Sequence, residues 1–390
     1  MTIYQTKMLQ ELLPGEILLH PIYRSDGLLF LNRYKSFTDS ILINIKNHFP
    51  SSLKVLIVTH APNLNEFENL HIYKHESFLN DLEMVVQQFA TYSKANLTIN
   101  DYKDERALND PISTSNAFHK FHHSPLWNNL QRLFDSTHLL NRIPQIKELI
   151  FSTLEKEEAL ESLYIKLINY HDVLKIHSKN TAIISLMLGL TLELTDEELV
   201  DLFISTLFAD IGFTKYPKSD FVLYLDHGNR NDMLLSHIKD SMEIISNSPF
   251  CRRKNVIMGI LDHHERVDGL GFPSGKSARN IHLFGRIIAI AQKYDELVGG
   301  YIKGDTLASY PAITYIWEQK GTMFDRQIIK TFLNRTTIFK LNEPFLLPNY
   351  PKGVIVGFQD YLNHPVLPMV KDETGNIRDL YMERIKDTRK

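Results

Sequence analysis

Apolar and polar positions follow different rhythms along this chain. At the start, Glu16-Ile-Leu-Leu-His-Pro and Gly27-Leu-Leu-Phe-Leu are short strand-like runs separated by turn formers at Ser25-Asp26-Gly27. Asp39 to His48 has helical spacing, and Leu53 to Val58 is apolar and β-branched enough for another strand. Residues 1–65 therefore read as a small α/β N-terminal unit. Over 66–154 the pattern is helical but interrupted, with breaks expected in the polar stretch Asn100 to Asp110 and at Pro111, Pro125 and Pro144. This is a helical connector. The helical signal is strongest over 155–338. There Thr195-Asp-Glu-Glu198 forms a capping box before Leu199, Val200, Leu202, Phe203 and Leu207, with Gly212 placed to stop that helix. Another helix is expected from Leu283 to Val298, ending at Gly299-Gly300. Beyond 338, prolines 344, 348, 351, 365 and 368 punctuate runs such as Gly353-Val-Ile-Val-Gly-Phe, which suits a small β tail over 339–390. The expected fold is mainly α, a helical bundle core between a small α/β unit and a small β unit.

Composition narrows the function. With 43 Lys+Arg against 46 Asp+Glu the formal charge is −3, which argues against nucleic acid or anionic lipid as a bulk electrostatic partner. The single cysteine, Cys251, cannot form an internal disulfide, as suits a reducing compartment. No apolar run approaches the ~18 residues of a membrane span, and the start lacks the basic-then-apolar order of a signal peptide. The expectation is a cytoplasmic chain without membrane insertion. The 17 histidines beside one cysteine point first to metal chemistry.

The most informative stretch is His263-His264-Glu265, followed by Asp268-Gly269-Leu-Gly271-Phe272-Pro273. Adjacent histidines on a helix project roughly 100° apart and can grip a site from two sides. The Gly-x-Gly-x-Pro loop lets backbone approach a ligand and then stiffens. The string resembles the HD-GYP family, bacterial metal-dependent phosphodiesterases that hydrolyse cyclic di-GMP. The resemblance runs on through Gly275, Ile281, Leu283 and Arg286-Ile-Ile-Ala to Tyr294-Asp295. Upstream, His177-Ser178, Ala209-Asp210-Ile-Gly212 and His237 are similar to the family's opening His-Ser, its His-Asp-Ile-Gly-Lys and its lone middle histidine. The resemblance covers about 165–335 and implies an HD-type helical core. More weakly, Leu13-Pro-Gly-Glu with Asp26-Gly27, and Tyr350-Pro-Lys-Gly353-Val, are similar to units that often flank it.

The pattern departs at three places. Ala209 stands for the family's His, Phe213 for its Lys and Gln292 for its Asp. Carried over residue by residue, one metal site keeps only His177 and Asp210. The other keeps Asp210, His237, His263 and His264, an Asp/His₃ set that suits Fe, Mn or Zn. The resemblance thus implies one transition metal ion per chain, with cyclic di-GMP or a related cyclic dinucleotide as ligand. Gly269, Gly271, Phe272, Pro273, Lys276, Arg279 and Arg286 are the nucleotide-contact candidates. A two-metal clamp missing ligands and a cation implies lost or weak hydrolysis. The first reading is therefore a degenerate member that binds nucleotide or a protein partner. A phosphodiesterase with a rearranged metal site and a structural scaffold are the alternatives, and a homodimer is compatible with each. Asp210 supports the retained site independently, because a carboxylate in the last turn of an apolar helix needs a compensating cation or donors. His171-Asp172 reads as a cap of the helix bearing His177. His119, His122 and His123 read as a solvated face. Asp295 shares a helix face with Gln292 and is a minor candidate to replace the lost Asp.

Overall fold

The computed structural model describes residues 4–24, 29–31, 37, 39–59, 76–93, 118–134, 136–228, 231–246, 248, 252–302, 307, 309–335, 344–345, 353–360 and 364–387. The turn at Ser25-Asp26-Gly27, the breaks expected over Asn100 to Asp110 and at Pro111, the lone Cys251, and Pro348 and Pro351 of the tail lie outside them.

In the N-terminal unit, β1 (Gln5–Met8), β2 (Ile17–Leu18), β3 (Ile22–Tyr23), β4 (Leu29–Leu31), α1 (Asp39–His48) and β5 (Lys54–Val58) follow one another. β5 is central in an antiparallel sheet of order β1-β5-β2, and β3 pairs with β4. The β-branched, apolar β5 is buried from Val55 onward. Helix α2 (Glu76–Ser93) adds Phe78, Leu82, Val85 and Phe89 to the same apolar cluster as Leu18, Ile22, Ile45 and Ile57.

The helical core begins with α3 (His119–His122), α4 (Pro125–Arg132) and α5 (Thr137–Lys156). Pro125 opens α4 behind the Ser124 cap, where a missing N–H costs nothing. Pro144 does not break the chain as expected, but sits inside α5. An interior proline costs ~3 kcal/mol. Leu139, Ile143, Ile146, Ile150 and Leu154 are all buried along α5 and outweigh it. Next come α6 (Glu158–Tyr170), α7 (Asp172–Thr191) and α8 (Asp196–Leu207). The Thr195/Glu198 capping box forms as expected. Then follow α9 (Lys218–His227), α10 (Asn231–Ile245), α11 (Lys254–Asp262), α12 (Leu283–Gly299), α13 (Ser309–Glu318) and α14 (Arg326–Arg335). α7 is apolar on nearly every face, so it is enclosed, with α6, α8 and α12 packed around it.

The C-terminal unit is an antiparallel sheet of β6 (Pro344–Phe345), β7 (Gly353–Phe358), β8 (Pro368–Asp372) and β9 (Ile377–Asp379), followed by α15 (Leu380–Asp387). Its Ile355, Val366, Val370 and Leu380 belong to the apolar cluster of the helical core. The segment read as a connector divides between clusters: α2 packs with the N-terminal sheet, α3 to α5 with the core. The fold is thus mainly α with small separate sheets towards each end. Among the described residues no helix is long and apolar enough to cross a membrane.

Candidate metal centre

Helix α8 stops at Leu207, earlier than Gly212 suggested, and the chain turns through Ala209-Asp210 into a 3₁₀ turn at Ile211–Lys215. Asp210 therefore lies past the helix end rather than in its last turn. Gly212 has another reason to be glycine. A Cβ there would stand 2.0 Å from the His237 carbonyl oxygen, so only a bare backbone lets the turn lie on α10. Ser241 of α10 clamps it, accepting from the Gly212 N–H at 2.8 Å and donating to the Ala209 carbonyl at 2.7 Å. This contact fixes Asp210 beside His237, and no sequence motif announced Ser241.

His237 (α10) and His263 (the cap residue of α11) are oriented alike. Each Nδ1 lies 2.6 Å from a carbonyl of its own helix, Leu234 and Ile260 respectively. With the Nδ1 protons donated there, both Nε2 atoms carry lone pairs. They stand 3.3 Å apart, and Asp210 Oδ1 is 3.3 Å from the first and 3.5 Å from the second. Three acceptors so close repel unless a proton or cation lies among them. Ligand atoms of a tetrahedral ion at ~2.1 Å stand about 3.4 Å apart, so the spacing fits a first-row metal. His264 completes a group whose ligand atoms all lie within 4.8 Å of one another. Its ring stacks on Phe272, at 4.7 Å and 18°. Phe213, in place of a lysine, stacks on His237 at 4.4 Å and 8°.

The electrostatics agree. Burial pushes the His237 and His264 imidazoles down, keeping them neutral and ligand-competent. Burial alone would raise the Asp210 carboxyl; a proton or cation shared with the His237 and His263 imidazoles outweighs burial and holds it well below its usual range.

The other side of Asp210 is built differently. Ala209 is fully buried and offers only a methyl. Gln292 Nε2 donates to Asp210 Oδ2 at 2.7 Å, so this oxygen already has a partner. His177 lies near, its Nε2 3.8 Å from that oxygen, but outside the four-residue group. Its Nδ1 faces Asp295 Oδ2 at 2.8 Å. Burial pushes this imidazole down, yet the Asp295 hydrogen bond and charge win, and the net shift is upward. Asp295 thus serves as the partner of His177. A small cleft opens onto the centre, lined by His177, Asp210, Phe213, Tyr224, His264 and Gln292 among others.

Below it, the Gly-x-Gly-x-Pro loop is held by buried Glu265, which accepts from the N–H groups of Ser274 and Lys276 at 2.7 and 2.9 Å. Gly271 packs against its own chain: a Cβ there would lie 2.3 Å from the Arg266 nitrogen. The close approach read from the motif is thus met within the loop itself. Gly269 has φ +79°, and Phe272-Pro273 is cis. The cations proposed for phosphate have internal partners. Lys276 pairs with Asp262 at 2.5 Å and Arg286 with Asp325 at 2.6 Å, while Arg279 is exposed. His171 caps α7, accepting from Val173 N–H, and Asp172 in the first turn pairs with Lys175. His119, His122 and His123 line a surface, with His122 2.8 Å from the Glu148 carboxylate.

The HD domain family matches residues 155–328. A cyclic di-GMP phosphodiesterase of Borreliella burgdorferi, PdeB, is 26% identical over 175 residues, 43% of each chain. A cyclic di-GMP phosphodiesterase of Pseudomonas aeruginosa is 27% identical over 219 residues, 54% of this chain and 50% of that one. The chain thus spans half or less of the length of these curated relatives. Among solved structures, an HDG"Y"P protein from Bdellovibrio bacteriovorus is 15% identical, with a TM-score of 0.37 over 84% of this chain and 98% of that one. The HD-domain match lies over the His-His-Glu and Asp-Gly-x-Gly-x-Pro motifs, so residues 155–328 form an HD domain of HD-GYP type.

Proposed function

We propose that this centre holds one transition metal ion on Asp210, His237, His263 and His264, and binds cyclic di-GMP or a related cyclic dinucleotide with hydrolysis lost or weak. The division of the Asp210 carboxylate carries this reading. Oδ1 faces two imidazole Nε2 atoms at metal-ligand spacing, while Oδ2 accepts the Gln292 amide. An ion there would supply a Lewis acid for a phosphate oxygen, and the ligand set leaves Fe, Mn and Zn open. Phe272 stacks on His264 beside the centre, and in this reading the Gly269 to Pro273 loop is the wall that a base would meet. The polarised water of a two-metal clamp needs ligands that Ala209 and Gln292 do not provide.

The test is calorimetry of Mn²⁺-loaded protein with cyclic di-GMP, beside a hydrolysis assay. Binding heat abolished by chelator, with little linear dinucleotide or GMP released, is the expected result. Robust turnover would overturn the degenerate reading, and absence of binding would overturn the receptor reading. The closeness of His177 Nε2 to Asp210 Oδ2, at 3.8 Å, favours one alternative, a second weak ion supporting slow hydrolysis. In that case Ala209→His, Phe213→Lys and Gln292→Asp together should raise activity, and the single changes little, since such a site acts as a unit.

A further inference from the structure

Asp295 is completely buried on α12, within the helical core, and its donors come from two bodies of the fold. Two are local to the core: His177 Nδ1 to Oδ2 at 2.8 Å, and Asn180 Nδ2 to Oδ1 at 2.9 Å, both from α7. Another is Arg24, directly after β3 of the N-terminal unit. Its Nη1 is 3.5 Å from Asp295 Oδ1, across 271 positions of chain, and its guanidinium lies 5.8 Å from the centre of the Tyr294 ring. Arg24 is only 3% exposed. A buried carboxylate whose charge is met by a cation from another unit ties the placement of that unit to its own surroundings.

We propose that Arg24 is a positioning residue through which the N-terminal unit sets the metal centre. The chain of contact is short: Arg24 to Asp295, Asp295 to the Nδ1–H of His177, and His177 Nε2 towards Asp210 Oδ2. With Arg24 in place, the Asp295 carboxylate fixes both the tautomer and the ring plane of His177. His177 stands beside Asp210 and outside the four-residue group, so the effect reaches the centre through the Asp210 carboxylate. Displacing the N-terminal unit withdraws the cation, leaves Asp295 buried with less compensation, and loosens His177 beside Asp210. Whatever binds or moves the N-terminal unit therefore changes affinity at the centre. By linkage, an ion at the centre tightens the docking of Arg24 by the same factor. This rests on the metal reading above.

The experiment uses the full chain, with wild type, Arg24→Met, Arg24→Lys and Arg24→Met/Asp295→Asn. Mn²⁺ affinity is measured by titration calorimetry, the His177 ring by ¹⁵N-histidine NMR, and hydrogen exchange over residues 17–24 with and without Mn²⁺. Arg24→Met should weaken Mn²⁺ by a few-fold, less than the ~10-fold loss of a direct partner of a metal ligand, and shift the His177 ring nitrogens. Arg24→Lys should recover part of both. Mn²⁺ should slow exchange over 17–24 in wild type and not in Arg24→Met. The double variant should regain stability relative to Arg24→Met while its His177 signal stays altered, separating positioning from mere folding. If Arg24→Met does not fold, Arg24→Lys and the wild-type exchange decide. Unchanged exchange over 17–24 on adding Mn²⁺, or unchanged Mn²⁺ affinity in a folded Arg24 variant, overturns the proposal. A wild type that binds no Mn²⁺ overturns the metal reading instead.

Discussion

Replacing Gln292 by Asp tests how this centre differs from one built for two metals. In the native chain the Gln292 amide donates to Asp210 Oδ2 at 2.7 Å in a pocket where both residues are buried. Asp removes that donor, a charge-assisted bond worth about 1.5–3 kcal/mol. It also adds a second carboxylate. At ~4 Å and an effective dielectric of ~20, two such charges repel by about 4 kcal/mol, a ceiling because one of them can take up a proton instead. Gln292→Asp should therefore lose about 3 kcal/mol in chelator at pH 8. An added divalent ion reverses the sign of the new contact, so the variant should gain more stability from Mn²⁺ than wild type does. Urea unfolding with and without Mn²⁺ measures both effects. A variant as stable as wild type in chelator would show that Gln292 does not hold Asp210 in the folded protein. Equal stabilisation by Mn²⁺ in both proteins would show that position 292 does not face an ion site.

Other substitutions separate the site from its surroundings. His263→Ala should empty the centre of metal on elemental analysis, whereas His171→Ala should leave metal content intact and remove only a helix cap worth about 1 kcal/mol. Gly212→Ala should destabilise by several-fold more than a surface Gly→Ala, about 3 kcal/mol or above, because the new methyl meets backbone of α10 rather than a movable side chain. Thermal unfolding checks it. Asp201, on α8, is pushed up to about 6 by burial, against the opposing pull of Arg253 at 2.9 Å. Its folded value lies above its unfolded one, so its contribution is fully present below about pH 4 and lost as pH rises through about 6. A pH series should show that component, at most about 3 kcal/mol, in wild type and not in Asp201→Asn.

The grouping of Asp210, His237, His263 and His264 was legible in the sequence because its members sit in short motifs whose spacing is local: His263-His264 together, and Asp210 and His237 each beside recognisable neighbours. The helices around it were legible where caps and apolar stripes agree, as at Thr195/Glu198. Other features depend on contacts between distant positions. Phe208 and Ala209 carry no breaker, and α8 ends there because Gly212 must lie on α10 and Ser241 holds it. Pro144 reads as a break in isolation, yet the buried stripe of α5 overrides it. Asp295 shares a face with Gln292 and invites a ligand reading. Its actual partners, His177, Asn180 and Arg24, lie 118, 115 and 271 positions away. Lys276 and Arg286 read as phosphate cations, and only the fold shows Asp262 and Asp325 beside them.

The most direct test of the account is the number of metal ions held per chain. Protein purified without chelator, loaded with Mn²⁺ and freed of excess by gel filtration, is analysed for metal against protein concentration. The account predicts about one ion per chain, falling towards none in His263→Ala. Two tightly held ions per chain would contradict it, since Ala209 and Gln292 would then not have closed the second site.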